Sequence, residues 1–308
     1  MSARRKQLHG RKKNTTVYRK IIGYALVLVI FLLAFLYFTG TRKFWNGRDK
    51  VSIAIRSNSG DVHVVTFDPK TQEMLQITIP GNTEAEVARG LGIWKLTSVW
   101  ELGEKESLQG LLLSRTLTKH FKFPVFLWAD AQADGFFKGD IDSVITATLR
   151  PYKTNLGLGD RISIAIFSLR VKNTKRVELN LQDTTYLRKT TLTDGSEGYR
   201  VVGSIPGDIA VIFSDSTASK STFRVGIKDM TGKFGIAEAL GEVIEVFGGK
   251  VFSIEKGSEA DSGCKVSAKV AQNAAKIALL FPCSVVDQPP DGNFDLEITI
   301  GKKFMEDY

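Results

Sequence analysis

Residues 51–80 read VSIAIRSNSGDVHVVTFDPKTQEMLQITIP, and this stretch decides how the first half of the chain folds. Three short runs within it, residues 51–56, 61–67 and 74–79, are rich in β-branched and apolar residues that alternate with polar ones. Ser-Asn-Ser-Gly and Asp-Pro-Lys-Thr separate the runs, and Pro80 ends the third, as is typical of turns between strands. The pattern predicts three strands in an antiparallel meander.

An apolar run lies upstream of this meander. Residues 21–41 read IIGYALVLVIFLLAFLYFTGT and contain no charged residue. A helix of this length spans roughly 30 Å, the thickness of a bilayer's hydrocarbon core, and Tyr24 and Tyr37 lie near its ends, where such rings favour the interface. A cleaved signal peptide would have a shorter apolar run, followed by a small-x-small site. We therefore expect a retained transmembrane helix over residues 21–41.

Positive charge flanks the apolar run unevenly. Residues 1–20 hold eight Lys and Arg and no acidic residue, whereas residues 42–50 hold four, partly offset by Asp49. Because the more basic flank stays inside, we expect a cytoplasmic tail over 1–20 and a single-pass cell-membrane protein with its remaining domains extracytoplasmic. The tail also explains most of the net charge of +9, since residues 21–308 contain 34 Lys and Arg and 33 Asp and Glu. This near balance argues against nucleic acid as a partner and assigns the basic tail to lipid contact.

Helical periodicity replaces strand alternation after the meander. Strands and helices then follow in mixed order, which predicts an α/β domain with a mixed sheet over residues 50–213. Trp94, Trp100 and Trp128 are expected in its core, with sugar stacking as an alternative role for one of them. The helices are expected over residues 83–103, 106–119 and 133–137 and from Leu158 onward, and the strands over 125–128 and 175–181.

A polar linker, residues 214–221, precedes a second unit. The runs that follow it predict the order β-α-β-β-α-β-β, a small two-layer α+β sandwich over residues 222–308. Cys264 and Cys283 each begin a predicted strand, with a helix between them. Neighbouring strands would allow a disulfide in an oxidising compartment, and two separately buried thiols are the alternative.

Two sets of motifs carry a family resemblance. The second unit opens with a strand followed by Thr-Gly and Gly-Ile-Ala, up to Ala237, and closes with DLEITIGKKF over residues 295–304. These features resemble the LytR C-terminal domain of bacterial cell-envelope proteins, although Lys303 replaces an acidic residue. VTFDPKT and ITIP in the meander, followed by FLWAD (126–130) and DGFF (134–137), are similar to the LytR–CpsA–Psr domain. The second resemblance covers roughly residues 50–140.

The resemblance implies phosphotransferase activity, but this chain lacks residues that the active members of the family have. Active relatives move a polyprenyl-diphosphate-linked glycopolymer onto peptidoglycan, with arginines on the diphosphate and acidic residues on a divalent metal. The family has Arg-Asp after Ile-Pro, whereas this chain has Gly81-Asn82. No Arg-x-Arg pair follows, and three arginines stand apart in the sequence: Arg161, Arg170 and Arg176. We therefore expect the fold without the transferase activity, and no catalytic residue.

The remaining candidates are ligand-binding residues. Arg56 at the end of the first strand would contact an anion. Asp130 and Asp134 are the best acidic pair, near Asp140 and Asp142, and one of them would be the relic of a metal site. The alternatives are a solvated arginine and ordinary loop carboxylates, and no cofactor is expected unless the chain is an active, metal-dependent transferase. The expected partners are the membrane, a cell-wall glycopolymer or lipid-linked precursor, and envelope proteins bound through the C-terminal domain. A scaffold whose first domain is a spacer is a third hypothesis.

Overall fold

The computed structural model describes residues 19–20, 22–29, 44–214 and 223–308. The predicted tail and transmembrane helix fall mostly outside these ranges, although residues 22–29 are helical. None of the helices in the described ranges has the length and apolar character that crossing a membrane requires. Lys43–Tyr308 form one compact unit, to which the following description applies.

The first half of this unit is built around a mixed five-stranded sheet with the order β6-β1-β2-β3-β7. The three predicted meander strands are antiparallel neighbours, so that prediction is confirmed. β6 lies parallel to β1 and β7 lies parallel to β3. The elements are, in chain order, β1 (Val51–Arg56), β2 (Val62–Asp68), β3 (Glu73–Ile79), β4 (Thr83–Glu86), β5 (Ile93–Lys95), α1 (Leu96–Lys105), α2 (Gly110–His120), β6 (Leu127–Ala129), α3 (Asp134–Lys138), α4 (Ile141–Leu149), α5 (Leu158–Arg170), β7 (Arg176–Asn180), β8 (Leu187–Thr191), β9 (Glu197–Val201) and α6 (Gly207–Phe213).

This sheet is covered on both faces. Alternate residues such as Ile53 and Ile55 pack against α3, α4 and α5 on one face. The residue between them, Ala54, belongs to a second core that includes α1, α2 and residues of the smaller sheet β5-β4-β9-β8. Because side chains alternate along a strand, β1 is buried on both faces and reads as a nearly continuous apolar run.

Part of the predicted helix over residues 83–103 is wrong. Residues 83–86 form β4, which pairs with β5 and β9, and the helix begins only at Leu96. Gly90 and Gly92, both with positive φ, reverse the chain between β4 and β5. The polar, Gly-rich region around residues 190–200 contributes β8 and β9, which the sequence pattern did not predict. Sheet pairing with distant residues outweighs local periodicity here.

The second half of the unit has the predicted β-α-β-β-α-β-β order, followed by one more helix. Its strands form one sheet in the order β11-β10-β14-β12-β13. α7 and α8 contribute to the core of this sheet, together with residues such as Val225 and Ile298. The elements are β10 (Arg224–Met230), α7 (Ile236–Phe247), β11 (Lys250–Lys256), β12 (Cys264–Ala268), α8 (Ala271–Leu280), β13 (Cys283–Val285), β14 (Leu296–Gly301) and α9 (Lys302–Asp307).

Cys264 and Cys283 lie directly opposite each other in the parallel pair β12–β13 and form a disulfide, with their Cα atoms 4.3 Å apart. A bridge that closes a loop of this size restricts the unfolded chain and stabilises the fold by roughly 3 kcal/mol. We expect replacing both cysteines by Ala to lower the free energy of unfolding in urea by about that amount. Reduction of the wild-type chain should lower the free energy of unfolding by the same amount. Detection of two free thiols after unfolding without reductant would contradict the bridge.

Candidate functional site

The ends of β1 and β6 and the start of β2 form one edge of the first sheet, which we call the Arg56 edge. β1 and β6 run parallel, with Ile55 opposite Ala129, so the next residues, Arg56 and Asp130, leave neighbouring strands at this edge. His63 lies beside Ile55 on the antiparallel β2. The strand register therefore places two of the three predicted ligand-binding residues at one sheet edge.

Arg56 is half-buried and lies on the α1 side of the sheet. Its guanidinium carbon is 6.0 Å from the ring centroid of Trp100, a distance at which a cation is attracted to an aromatic face. The indole Nε1 of Trp100 donates to Glu104 Oε1 at 2.9 Å, and Lys153 Nζ donates to the same oxygen at 2.7 Å. These bonds, that of Lys153 first, lower the pKa of the Glu104 carboxyl. The charge of Arg56 also helps to lower the Glu104 pKa, but in the described part of the chain no carboxylate lies within ion-pair distance of Arg56, and its N–H groups can bind an anion.

Asp134 lies on the other side of the sheet, where it contacts a residue that the sequence analysis did not single out. His63 Nδ1 is 2.8 Å from Asp134 Oδ1, and each side chain is about 15% exposed. His63 pairs with Ile55 on the neighbouring strand, so both side chains point to the face of the sheet that α3–α5 cover. Arg56 is the next residue after Ile55, so its side chain points to the opposite face. The structure therefore does not bring Arg56 and Asp134 together.

The other acidic candidates have structural contacts. Asp130 Oδ1 accepts a hydrogen bond from the backbone N–H of Ala131 at 2.8 Å and caps a short 3-10 helix. Asp140 caps α4 by accepting from the Ser143 N–H at 2.8 Å, and this bond lowers the pKa of the Asp140 carboxyl. Among the described residues no three His, Cys, Asp or Glu side chains are placed to hold a metal ion.

A shallow cleft of about 290 Å³ opens beside Asp134. Carboxylates, a cation and hydroxyl groups line it together, so it can form hydrogen bonds with a polar ligand such as a sugar. Its polar lining residues are Asn58, Gln132, Asp134, Lys138, Asp142, Ser143 and Thr146.

Arg176, one of the three isolated arginines, lies away from the Arg56 edge. Arg176 begins β7 opposite Met74, the start of β3, whereas the Arg56 edge adjoins the end of β3. Its guanidinium donates to the carbonyl oxygens of Phe137 at 2.5 Å and Ser168 at 2.6 Å, and burial lowers its pKa. Arg161 stacks on Tyr152 at 4.2 Å. Arg170 is exposed at the end of α5.

Two of the three tryptophans expected in the core are there. Trp100 and Trp128 are buried and pack edge-to-face, with ring centroids 5.8 Å apart. The core prediction is wrong for Trp94, which is 44% exposed on the short strand β5. The hypothesis that one tryptophan stacks against a sugar therefore fits Trp94 best.

The comparisons with known proteins give matches among solved structures. No protein-family model matches this sequence, and no curated protein matches it. The crystal structure of Bacillus subtilis TagT is 15% identical, with a TM-score of 0.36, over 52% of this chain and 88% of that chain. TagT of the LytR-CPS2A-psr family with bound octaprenyl pyrophosphate lipid is 16% identical, with a TM-score of 0.35, over 52% and 87%. Bacillus subtilis TagV is 12% identical, with a TM-score of 0.33, over 51% and 92%.

The chain thus matches solved structures of the LytR-CPS2A-psr family, which its sequence resembles, over about half of its length. At these identities and TM-scores no activity and no residue role is transferred to the chain.

Proposed function

We propose that this chain is a membrane-tethered, extracytoplasmic protein of bacterial cell-envelope assembly that binds an anionic, lipid-linked precursor or envelope polymer without transferring it. The observation that carries the proposal is the separation of the expected site residues. Arg56 lies on one face of the sheet, Asp134 pairs with His63 on the other, and Arg176 binds backbone carbonyls elsewhere.

Phosphoryl transfer needs cations gathered around the transferring group. Catalysis in this class comes from positioning and from neutralising the charge that develops on the phosphoryl oxygens, usually with several Arg or Lys side chains and a metal. Arg56 binds a phosphate through charge-assisted hydrogen bonds, but the neighbouring Lys153 is paired with Glu104, so these three residues supply only one net positive charge. The geometry of the Arg56 edge therefore supports recognition better than transfer.

The alternative is a diverged but active transferase that moves a polyprenyl-diphosphate-linked glycopolymer onto peptidoglycan. The His63–Asp134 pair favours it, because a carboxylate that orients an imidazole is a common arrangement for a general base. In that case His63 would take the proton of the acceptor hydroxyl, and the arginines would have to come from other loops or from a rearranged edge.

Binding through the Arg56 edge has a direct test. We expect replacement of Arg56 by Gln to weaken binding of a polyprenyl diphosphate to the detergent-solubilised full chain by about ten- to a hundredfold, since one charge-assisted hydrogen bond contributes roughly 1.5–3 kcal/mol. The change in total tryptophan fluorescence would report the affinity, since Trp100 lies beside Arg56. Arg188→Gln removes an equal charge at an exposed position on β8 and should bind as wild type does.

The same preparation separates binding from catalysis. We expect no transfer or diphosphate hydrolysis with magnesium or manganese. Turnover that disappears in Arg56→Gln, Asp130→Asn or His63→Gln would contradict the non-catalytic proposal and establish the transferase. Equal affinity of wild type and Arg56→Gln would remove the proposed site.

The anchor and the partners are part of the proposal. A span over residues 21–41, with the N-terminus inside, predicts that the chain stays with membranes after an alkaline wash and that protease added outside removes the domains after residue 44. The C-terminal unit is proposed to bind envelope proteins. Failure of residues 222–308 to retain any envelope protein in a pull-down would count against that role.

A further inference from the structure

Two neighbouring helices of the first domain expose aliphatic side chains on the outside of the molecule. On α4 they are Ile141, Ile145 and Leu149, which are 67%, 51% and 67% exposed and follow at a spacing of four residues, so they share one helix face. On α5 they are Ile166 and Leu169, 47% and 51% exposed. α4 and α5 pack against each other. We call these five residues the α4–α5 apolar surface.

An exposed apolar surface of this kind indicates a binding partner. Single exposed aliphatic residues are ordinary, but several on adjacent helices mark an interaction site. The inner sides of the same helices already serve the core, through residues such as Val144 and Ile164. The outer halves of the exposed side chains are therefore left without a packing partner in the domain.

Cations border this surface. Arg150 directly follows Leu149, Arg170 directly follows Leu169, and Lys172 comes two residues later; all three are exposed. No carboxylate in the described ranges forms an ion pair with any of them. Asp140 and Asp142 are exposed acidic residues at the start of α4, so the three cations leave the border with a net charge of only +1. An apolar face bordered by unpaired cations is typical of helices that lie in the interface of an anionic membrane.

The chain enters the domain beside the same helix pair. Asp160, in the first turn of α5, accepts hydrogen bonds from the backbone N–H groups of Phe44 at 3.0 Å and Trp45 at 2.9 Å. Phe44 comes three residues after Thr41, where the predicted membrane span ends. Three residues extend at most about 11 Å. The chain therefore passes from the predicted span into the domain beside the start of α5.

We infer that the α4–α5 apolar surface docks on the outer leaflet of the membrane that holds the anchor, with its aliphatic side chains among the acyl chains and its cations on anionic headgroups. The inference rests on the anchor that is part of the proposed function. It adds a second membrane contact, which sets the orientation of the first domain on the bilayer.

A single label tests the contact in the full chain. The sequence has only two cysteines, and both are in the disulfide, so Ile145→Cys adds the one free thiol for an environment-sensitive fluorophore. In nanodiscs of phosphatidylglycerol we expect a blue shift relative to detergent and strong quenching by spin-labelled lipids. The matched control is Ile93→Cys on β5, which is 61% exposed and should show neither effect.

The outcomes separate the surface from the anchor. A chain that enters nanodiscs but shows no quenching at position 145, or equal quenching at 93, overturns the docking inference and leaves the anchor intact. A chain that does not enter nanodiscs overturns the anchor and the inference with it. A blue shift in detergent that grows with protein concentration overturns it as well, because a second copy then covers the surface.

The cations give an independent readout. Arg150→Gln and Arg170→Gln should each shift the equilibrium away from the docked state by roughly fivefold on phosphatidylglycerol, the effect expected of one cation near an anionic surface. On phosphatidylcholine the same substitutions should have little effect. Equal quenching on both lipids in all variants would contradict the electrostatic part of the inference.

Discussion

Replacing Arg176 by Leu is expected to lower the free energy of unfolding by about 4 kcal/mol, the largest effect predicted for a single residue of this chain. The guanidinium donates to the carbonyl oxygens of Phe137 and Ser168 and, at 3.4 Å, to those of Phe136 and Val171. Through these hydrogen bonds the Arg176 side chain links α3, α5 and β7. Leu fills much of the volume but donates nothing, so the carbonyls lose their charged partner.

Urea unfolding followed by tryptophan fluorescence would measure the loss. Arg170→Leu provides the matched control, because Arg170 is exposed and should change stability by less than about 0.5 kcal/mol. The comparison also bears on function. If Arg176 held a ligand instead, the substitution would reduce ligand affinity and leave the unfolding free energy near that of wild type, and this outcome would contradict the structural role.

Replacing Asp160 by Ala is expected to cost roughly 3–4 kcal/mol, since a buried carboxylate that accepts backbone hydrogen bonds leaves unpaired donors when it is removed. Asp160 is fully buried and accepts from the N–H groups of Phe44, Trp45 and Gly157, the last at 3.3 Å. It thereby closes the first turn of α5 and also fixes the segment that enters the domain. Trp45, which is 3% exposed, should become accessible to a soluble quencher such as iodide.

Two variants sharpen this test. Asp160→Asn keeps the shape and one carbonyl oxygen, so its stability should lie between those of wild type and Asp160→Ala. Asp142→Ala removes an exposed carboxylate from the neighbouring helix and should leave both stability and Trp45 quenching unchanged. Wild-type stability in Asp160→Ala would show that the hydrogen bonds to Phe44 and Trp45 contribute nothing net.

Much of the fold could be predicted because it is encoded locally. The meander over β1–β3 and the element order of the C-terminal unit follow from alternation and turn residues, which act over a few positions. The helix expected from residue 83 is wrong because Thr83 and Glu84 pair with Tyr199 and Arg200 of β9, more than a hundred positions away. Trp94 was placed in the core because residue type alone favours burial, whereas β5 is too short and peripheral to cover it.

The candidate site could be predicted only in part. Arg56 and Asp130 lie at the ends of β1 and β6, which are parallel neighbours in the sheet. Their place at one sheet edge could therefore be anticipated from the predicted strands. The pairing of His63 with Asp134 could not, since the two residues are 71 positions apart and no spacing motif links them. Asp130 is a metal-site candidate in the sequence because the sequence shows its carboxylate but not the backbone N–H group that the carboxylate caps.

The sequence by itself determined the strand meander, the order of elements in the C-terminal unit and the concentration of excess charge in the first 20 residues, since each depends on neighbouring residues. Only the tertiary structure decided which face of the sheet each candidate residue occupies. That depends on register, because side chains alternate between faces and adjacent positions point apart. Through register, Arg56 lies beside Trp100, Asp134 beside His63, and Arg176 among backbone carbonyls.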